Sequence, residues 1–223
     1  TPDEAWAALT SASPTGGYDL FAVSGLRFRM QHPRYDSMRE RWQYHTPGAA
    51  DVALDAHLAG GGAVLSMHTG CICFDDWDRW SRLLGRRWSW DESRMSWHPE
   101  RGPLDVVLQT PGNGSRFTVI DECYTDMADI AGQDPVHVWA TATDLTWGTA
   151  AATSAGPAAP LGATRPADQP AVWTRLAGES DCSGPGGRPT RVAVCTLGHD
   201  RGSYDDPHLR PLLSGLVSWL LVG

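Results

Sequence analysis

The sequence contains no lysine, so all 18 of its Lys-plus-Arg positions are arginine. Schiff-base and lysine-nucleophile chemistry are therefore excluded from this chain. GC-rich codon usage accounts for the gap without any functional reason. Basic clusters are absent too, and the formal net charge is -8, which argues against a nucleic-acid partner. The five cysteines (Cys71, Cys73, Cys123, Cys182 and Cys195) form no C-x-x-C and no even disulfide framework; Cys71 and Cys73 make only C-x-C. Neither H-x-x-x-H nor H-E-x-x-H occurs, so metal ligands can converge only through the fold. No apolar run has membrane-spanning length; the C-terminal LLSGLVSWLLVG is too short and follows a helical pattern. With no signal peptide visible at Thr1, the expectation is a cytoplasmic protein without a membrane partner.

What is present is an alternation of short apolar runs and amphipathic stretches without internal repeats. It predicts one α/β domain over residues 1–223 with a mostly parallel sheet. Residues 3–9 read as the end of a helix and Tyr18–Val23 as a strand. Asp51–Leu58 has helical spacing, with Val52, Leu54 and Leu58 on one face. It runs through three glycines into the buried strand Ala63–Met67. Asp75–Leu84 reads as a helix with an acidic first turn, stopped by Gly85. Strands follow at Leu104–Gln109, Arg116–Ile120 and His137–Ala142. The runs Ala171–Leu176 and Arg191–Leu197 flank a Gly/Pro-rich tip and predict a hairpin. Residues 148–170, rich in Ala, Gly, Pro and Thr, read as a loop, and Pro207–Leu221 as an amphipathic final helix. A doubly wound sheet normally opens with a central strand before its first helix. Here the first element is a helix, and the expectation is that the opening strand lies before Thr1.

Three places could carry chemistry. The first is Ala63–Gly70, where an apolar strand ends on His68-Thr69-Gly70. This is the pattern of a strained strand-to-turn elbow, x-Nuc-x-Gly, with histidine in the nucleophile position. An imidazole there can act as base, metal ligand or anion donor; the bland alternative is a hydrogen-bonded strand end. The second is Asp121-Glu122-Cys123-Tyr124 after the strand ending at Ile120. Adjacent residues face opposite ways, so at most one carboxylate enters a shared site, and a helix N-cap would explain the pair as well. The third is Gly198-His199 after Arg191–Leu197, with Tyr204 and His208 beyond. His68 and His199 are both polar groups at strand carboxyl ends, where ligands bind in open α/β sheets. Eleven tryptophans are present, and Trp77, Trp80, Trp88, Trp90 and Trp97 crowd one region. Tryptophan faces stack on sugars, yet Trp77 and Trp80 have core spacing, which leaves Trp97 beside His98 as the ligand-facing candidate.

These features, in order, resemble the ThuA-like (trehalose utilisation) family, a degenerate relative of class I glutamine amidotransferases. The matching pieces are GGGAVLSMH at Gly60–His68, the helix with Trp77 and Trp80, DECY at Asp121–Tyr124, AVWTR at Ala171–Arg175 and RVAVCTLGH at Arg191–His199. The resemblance implies a flavodoxin-like three-layer sandwich. It also implies His68 at the elbow, where an amidotransferase keeps cysteine, and His199 at the late-strand position. Without that thiolate, glutamine hydrolysis through a thioester has no nucleophile. The family is linked to trehalose and related disaccharides through oxidised, 3-keto sugars.

The expected function is therefore binding or processing of a carbohydrate derivative. His68, His199, Glu122 and Tyr124 form the catalytic set, with Asp121, Trp97, Gly198 and Thr69 against the ligand. One alternative is a zinc-dependent hydrolase or lyase, the ion held by His68, His199 and a carboxylate. Another is a non-catalytic ligand-binding or interaction module. A small carbohydrate is the expected partner, and a homo-oligomer is left open.

Overall fold

The computed structural model describes residues 1–11, 17–90, 96, 101–109, 115–133, 135–146, 168–178 and 189–222. Its helices are α1 (Pro2–Ser11), α2 (Asp36–Trp42), α3 (Ala49–Ala59), α4 (Asp78–Leu84), α5 (Arg201–Tyr204) and α6 (Leu209–Leu221). The strands are β1 (Leu20–Ser24), β2 (Ala63–Met67), β3 (Arg86–Arg87), β4 (Gly102–Leu108), β5 (Arg116–Asp121), β6 (Ala128–Asp129), β7 (His137–Asp144), β8 (Gln169–Ala177) and β9 (Thr190–Cys195). Seven of them form one sheet in the order β1-β2-β9-β8-β7-β4-β5, and β3 pairs with β6 separately.

Three layers result, because both faces of the sheet are covered. On one face Val64, Trp173, Val192 and Val194 meet Trp6 and Leu9 of α1, Leu54 and Leu58 of α3, and Trp80, Leu83 and Leu84 of α4. On the other, Leu65, Met67, Val106, Val119, Ala193 and Cys195 meet Leu209, Leu216 and Leu220 of α6. Double coverage explains why β2 is buried at every position and reads as a continuous apolar run instead of an alternation.

The α/β class expected from the sequence stands; the pairing is more mixed than the mostly parallel sheet expected. β1-β2 and β2-β9 are parallel. The pairs β9-β8, β8-β7, β7-β4 and β4-β5 are antiparallel. In the second half of the chain strands follow strands, which favours hairpin-like neighbours over helical crossovers. The predicted β8–β9 hairpin is one of them. In α3 the buried face is Ala50, Ala53, Leu54, His57 and Leu58, and Val52 lies 59% exposed, contrary to the expected Val52 stripe. That set follows the i, i+3, i+4, i+7, i+8 spacing of one helical face, which position 52 misses. The first strand, β1, sits at the sheet edge beside β2.

Directions along the sheet position the site. β2 and β9 run parallel, with Met67 opposite Cys195. Four successive antiparallel pairings separate β9 from β5, so β5 points the same way as β9. The carboxyl ends of β2, β9 and β5, which carry His68, Thr196 and Asp121-Glu122, therefore share one edge.

Candidate functional site

His68 opens a 3-10 turn immediately after β2 and holds φ +46°, in the left-handed region. A non-glycine residue there is strained and persists only where its surroundings fix it. The expected elbow is thus present in the backbone. Gly70 makes the turn possible: a Cβ on it would stand 2.4 Å from the Val23 carbonyl oxygen and 2.9 Å from Ser66 Oγ. Trp80, fully buried, donates its indole N–H to the Gly70 carbonyl at 3.0 Å and holds the turn from below.

The His68 ring is buried and doubly engaged. Its Nδ1 lies 2.8 Å from the Thr196 carbonyl, which can only accept, so Nδ1 carries the proton. This bond follows from the β2-β9 register, since Thr196 succeeds Cys195 as His68 succeeds Met67. Nε2 then faces Glu122 Oε2 at 3.4 Å and the Tyr124 hydroxyl at 3.3 Å. Burial opposes a charge on this ring. The Glu122 hydrogen bond, the Thr196 carbonyl and the charges of Glu122 and Asp121 outweigh it, so its pKa moves up from 6.5. Burial, reinforced by nearby acidic groups, holds the Tyr124 phenol well above 10, so Tyr124 is a neutral donor.

His199 reaches the same carboxylate from the opposite side, with Nδ1 at 3.1 Å from Glu122 Oε1. The two imidazoles stand edge to face with centroids 5.3 Å apart. His68 has 8% of its side chain exposed and Glu122 12%, whereas His199 has 40%, so the cluster opens to solvent on the His199 side. One ligand atom from each of His68, Glu122 and His199 lies within 4.8 Å of the other two.

Asp121 does something else. It is fully buried, and its carboxylate accepts from the backbone N–H of Glu122 (2.8 Å), Gly198 (2.7 Å) and His199 (3.2 Å). It ties the end of β5 to the loop after β9, and Ser203 adds a bond to the Ile120 carbonyl at 3.2 Å. The sequence pattern placed Asp121 against a ligand; its engaged carboxylate makes it a positioning group instead. No helix starts at Asp121, so the capping alternative fails. The expectation that only one of the two carboxylates enters the site matches this arrangement. Gly198 is held at φ +112°, with the Tyr204 ring 2.9 Å from where a Cβ would sit. Thr69 is half-buried in the turn beside His68. Trp97 and His98 lie outside the described residues.

Two contributors escaped the sequence reading. The Thr196 carbonyl sets the His68 tautomer, and only the strand register could have revealed it. Trp88 packs edge-on against Tyr124 at 5.1 Å. Trp88 also lines a cavity of about 560 Å³ beside the turn, together with Arg29, Cys71, Trp77 and Trp90. Burial raises the Cys71 thiol and pushes Cys73 up to about 12, so neither presents a ready thiolate in place of an elbow cysteine.

The layered α/β fold, with an elbow histidine on its carboxyl edge, defines an amidotransferase-like domain lacking the elbow cysteine. A family model described as "Trehalose utilisation" (ThuA) matches residues 34–220, and the chain belongs to that family. Two crystal structures of ThuA-like proteins share the fold. The one from Parabacteroides merdae has TM-score 0.61 and 14% identity over 92% of this chain and 71% of its own. The one from Bacteroides uniformis has TM-score 0.58 and 12% identity over 95% and 74%. No curated protein gives a significant match. Among the described residues no helix is long and apolar enough to cross a membrane.

Proposed function

We propose that this chain binds and processes a carbohydrate derivative, of the trehalose or 3-keto-disaccharide kind, where His68, Glu122 and His199 meet. The observation that carries the reading is the single Glu122 carboxylate lying between two strand-end imidazoles, one sheltered and one open to solvent. Such a set supports proton transfer: a histidine takes a proton from the substrate, and the neutral Tyr124 phenol returns one to the leaving oxygen, with the Glu122 carboxylate orienting the rings. The upward shift of the His68 pKa favours the protonated ring beside Glu122. His199, the more exposed ring, meets the substrate first, with the Thr69 and Gly198 segments forming the rim. The family's description supplies the substrate class.

The test is calorimetric titration of trehalose and a 3-keto-disaccharide into the wild type and His68→Ala, with chromatography of the mixtures for products. Binding to the wild type that weakens at least about tenfold in the variant, a loss of about 1.4 kcal/mol, supports the reading. Equal binding by both proteins, or none by either, contradicts it.

A further inference from the structure

We propose that His68 Nε2, the Glu122 carboxylate and His199 Nδ1 hold a divalent transition-metal ion, zinc by ligand type. This rests on the substrate-site reading above and deepens it, recasting the two imidazoles as ligands instead of proton acceptors.

Geometry is the first argument. Tetrahedral zinc with bonds of about 2.0–2.1 Å sets neighbouring ligand atoms about 3.3 Å apart. His68 Nε2 stands 3.4 Å from Glu122 Oε2 and His199 Nδ1 3.1 Å from Glu122 Oε1, so each imidazole faces its own oxygen of the one carboxylate. One ligand atom from each of the three residues lies within 4.8 Å of the other two, so drawing them to that edge takes a shift of at most about 1.5 Å, which the more exposed His199 can make.

The second argument is the hydrogen bond behind the His68 ligand. A ligating histidine donates its other ring N–H to a carbonyl or carboxylate, which fixes the tautomer and aims the lone pair. His68 Nδ1 does this to the Thr196 carbonyl at 2.8 Å, which leaves Nε2 as the ligating atom. On the loop side, Asp121 grips the backbone N–H of His199 and of Glu122, so two ligand residues hang from one buried carboxylate.

The third argument is ligand type. Two imidazoles and one carboxylate suit zinc and its neighbours over magnesium or calcium, which favour all-oxygen sites. Three protein ligands leave one open position, the pattern of catalytic zinc, on the solvent-facing His199 side. Such an ion polarises a substrate carbonyl or acidifies bound water. Tyr124, 3.3 Å from Nε2, stays as the neutral proton donor beside it.

The experiment strips the purified protein with chelator, then titrates zinc alone by calorimetry and cobalt(II) alone by visible absorption. One equivalent of zinc should bind, and cobalt should give the intense visible bands of a four- or five-coordinate site. His199→Ala, a change at a partly exposed ring, and Glu122→Gln should each weaken zinc by more than the roughly 10–100-fold typical of an outer-shell partner. Circular dichroism verifies that both variants are folded. No zinc binding by the wild type, or binding unchanged in folded His199→Ala, overturns the proposal. The sugar titration repeated on stripped and zinc-loaded protein separates the two readings. Zinc binding without sugar binding leaves the metal site and removes the substrate; sugar binding without zinc binding does the reverse.

Discussion

Removing the Asp121 carboxylate should loosen the site more than any change to a residue that faces the ligand. In Asp121→Ala the N–H groups of Gly198 and His199 lose an acceptor reached from 77 and 78 residues away, and Glu122 loses the bond that orients its backbone. Each hydrogen bond to a charged group contributes about 1.5–3 kcal/mol net, so the two long-range bonds together contribute about 3–6 kcal/mol. Water can reach the loop beside half-exposed His199, which favours the lower end, about 3 kcal/mol. For a domain of this size that lowers Tm by about 6–12 °C. Asp121→Asn keeps one acceptor oxygen and should lose about half as much. Urea and thermal denaturation followed by circular dichroism read these changes, and hydrogen exchange should quicken at the Gly198 and His199 amides. An alanine variant within about 0.5 kcal/mol of wild type, the range of an ordinary surface change, would refute the bridging role.

Two further perturbations probe the surroundings. Gly198→Ala forces a side chain into the left-handed region and against the Tyr204 ring. It should destabilise by about 1–3 kcal/mol in urea, and a neutral result would contradict the geometry. His57 is buried against the Ala63 carbonyl, and burial lowers its pKa from 6.5 despite that hydrogen bond. The unfolded chain therefore binds more protons than the folded one near pH 6.5, so this residue's stabilisation is present above 6.5 and lost as pH falls towards the depressed folded value. His57→Gln should lose less stability than wild type between pH values above and below 6.5; equal losses would exclude His57 as the source.

The fold was legible where one segment carries its own signal. β2 announces itself as an unbroken apolar run because helices cover both faces, and the β8–β9 hairpin is marked by a Gly/Pro-rich tip between two strands. The strained elbow could be read from His68-Thr69-Gly70 because tight turns restrict residue size. Less legible was anything set by pairing across distance. The extent of antiparallel pairing escaped, since the β/α rhythm of the first third does not continue into the second half. The pleat showed that Asp121 and Glu122 part company, but not which one faces the histidines. That choice depends on where the loop after β9 crosses to β5, a contact between segments more than 70 residues apart. The Thr196 carbonyl was invisible for the same reason, as its role comes from the β2-β9 register.

The central claim is that His68 and His199 share one pocket, and a through-space NMR contact between their rings tests it most directly. With histidine-selective labelling, and assignments from His68→Gln and His199→Gln, the edge-to-face pair at 5.3 Å should give a ring-to-ring cross-peak in the folded protein. The cross-peak should disappear in either variant. Two assigned, well-resolved imidazoles with no contact between them would contradict the account, because the carboxylate they are said to share could not then lie between them.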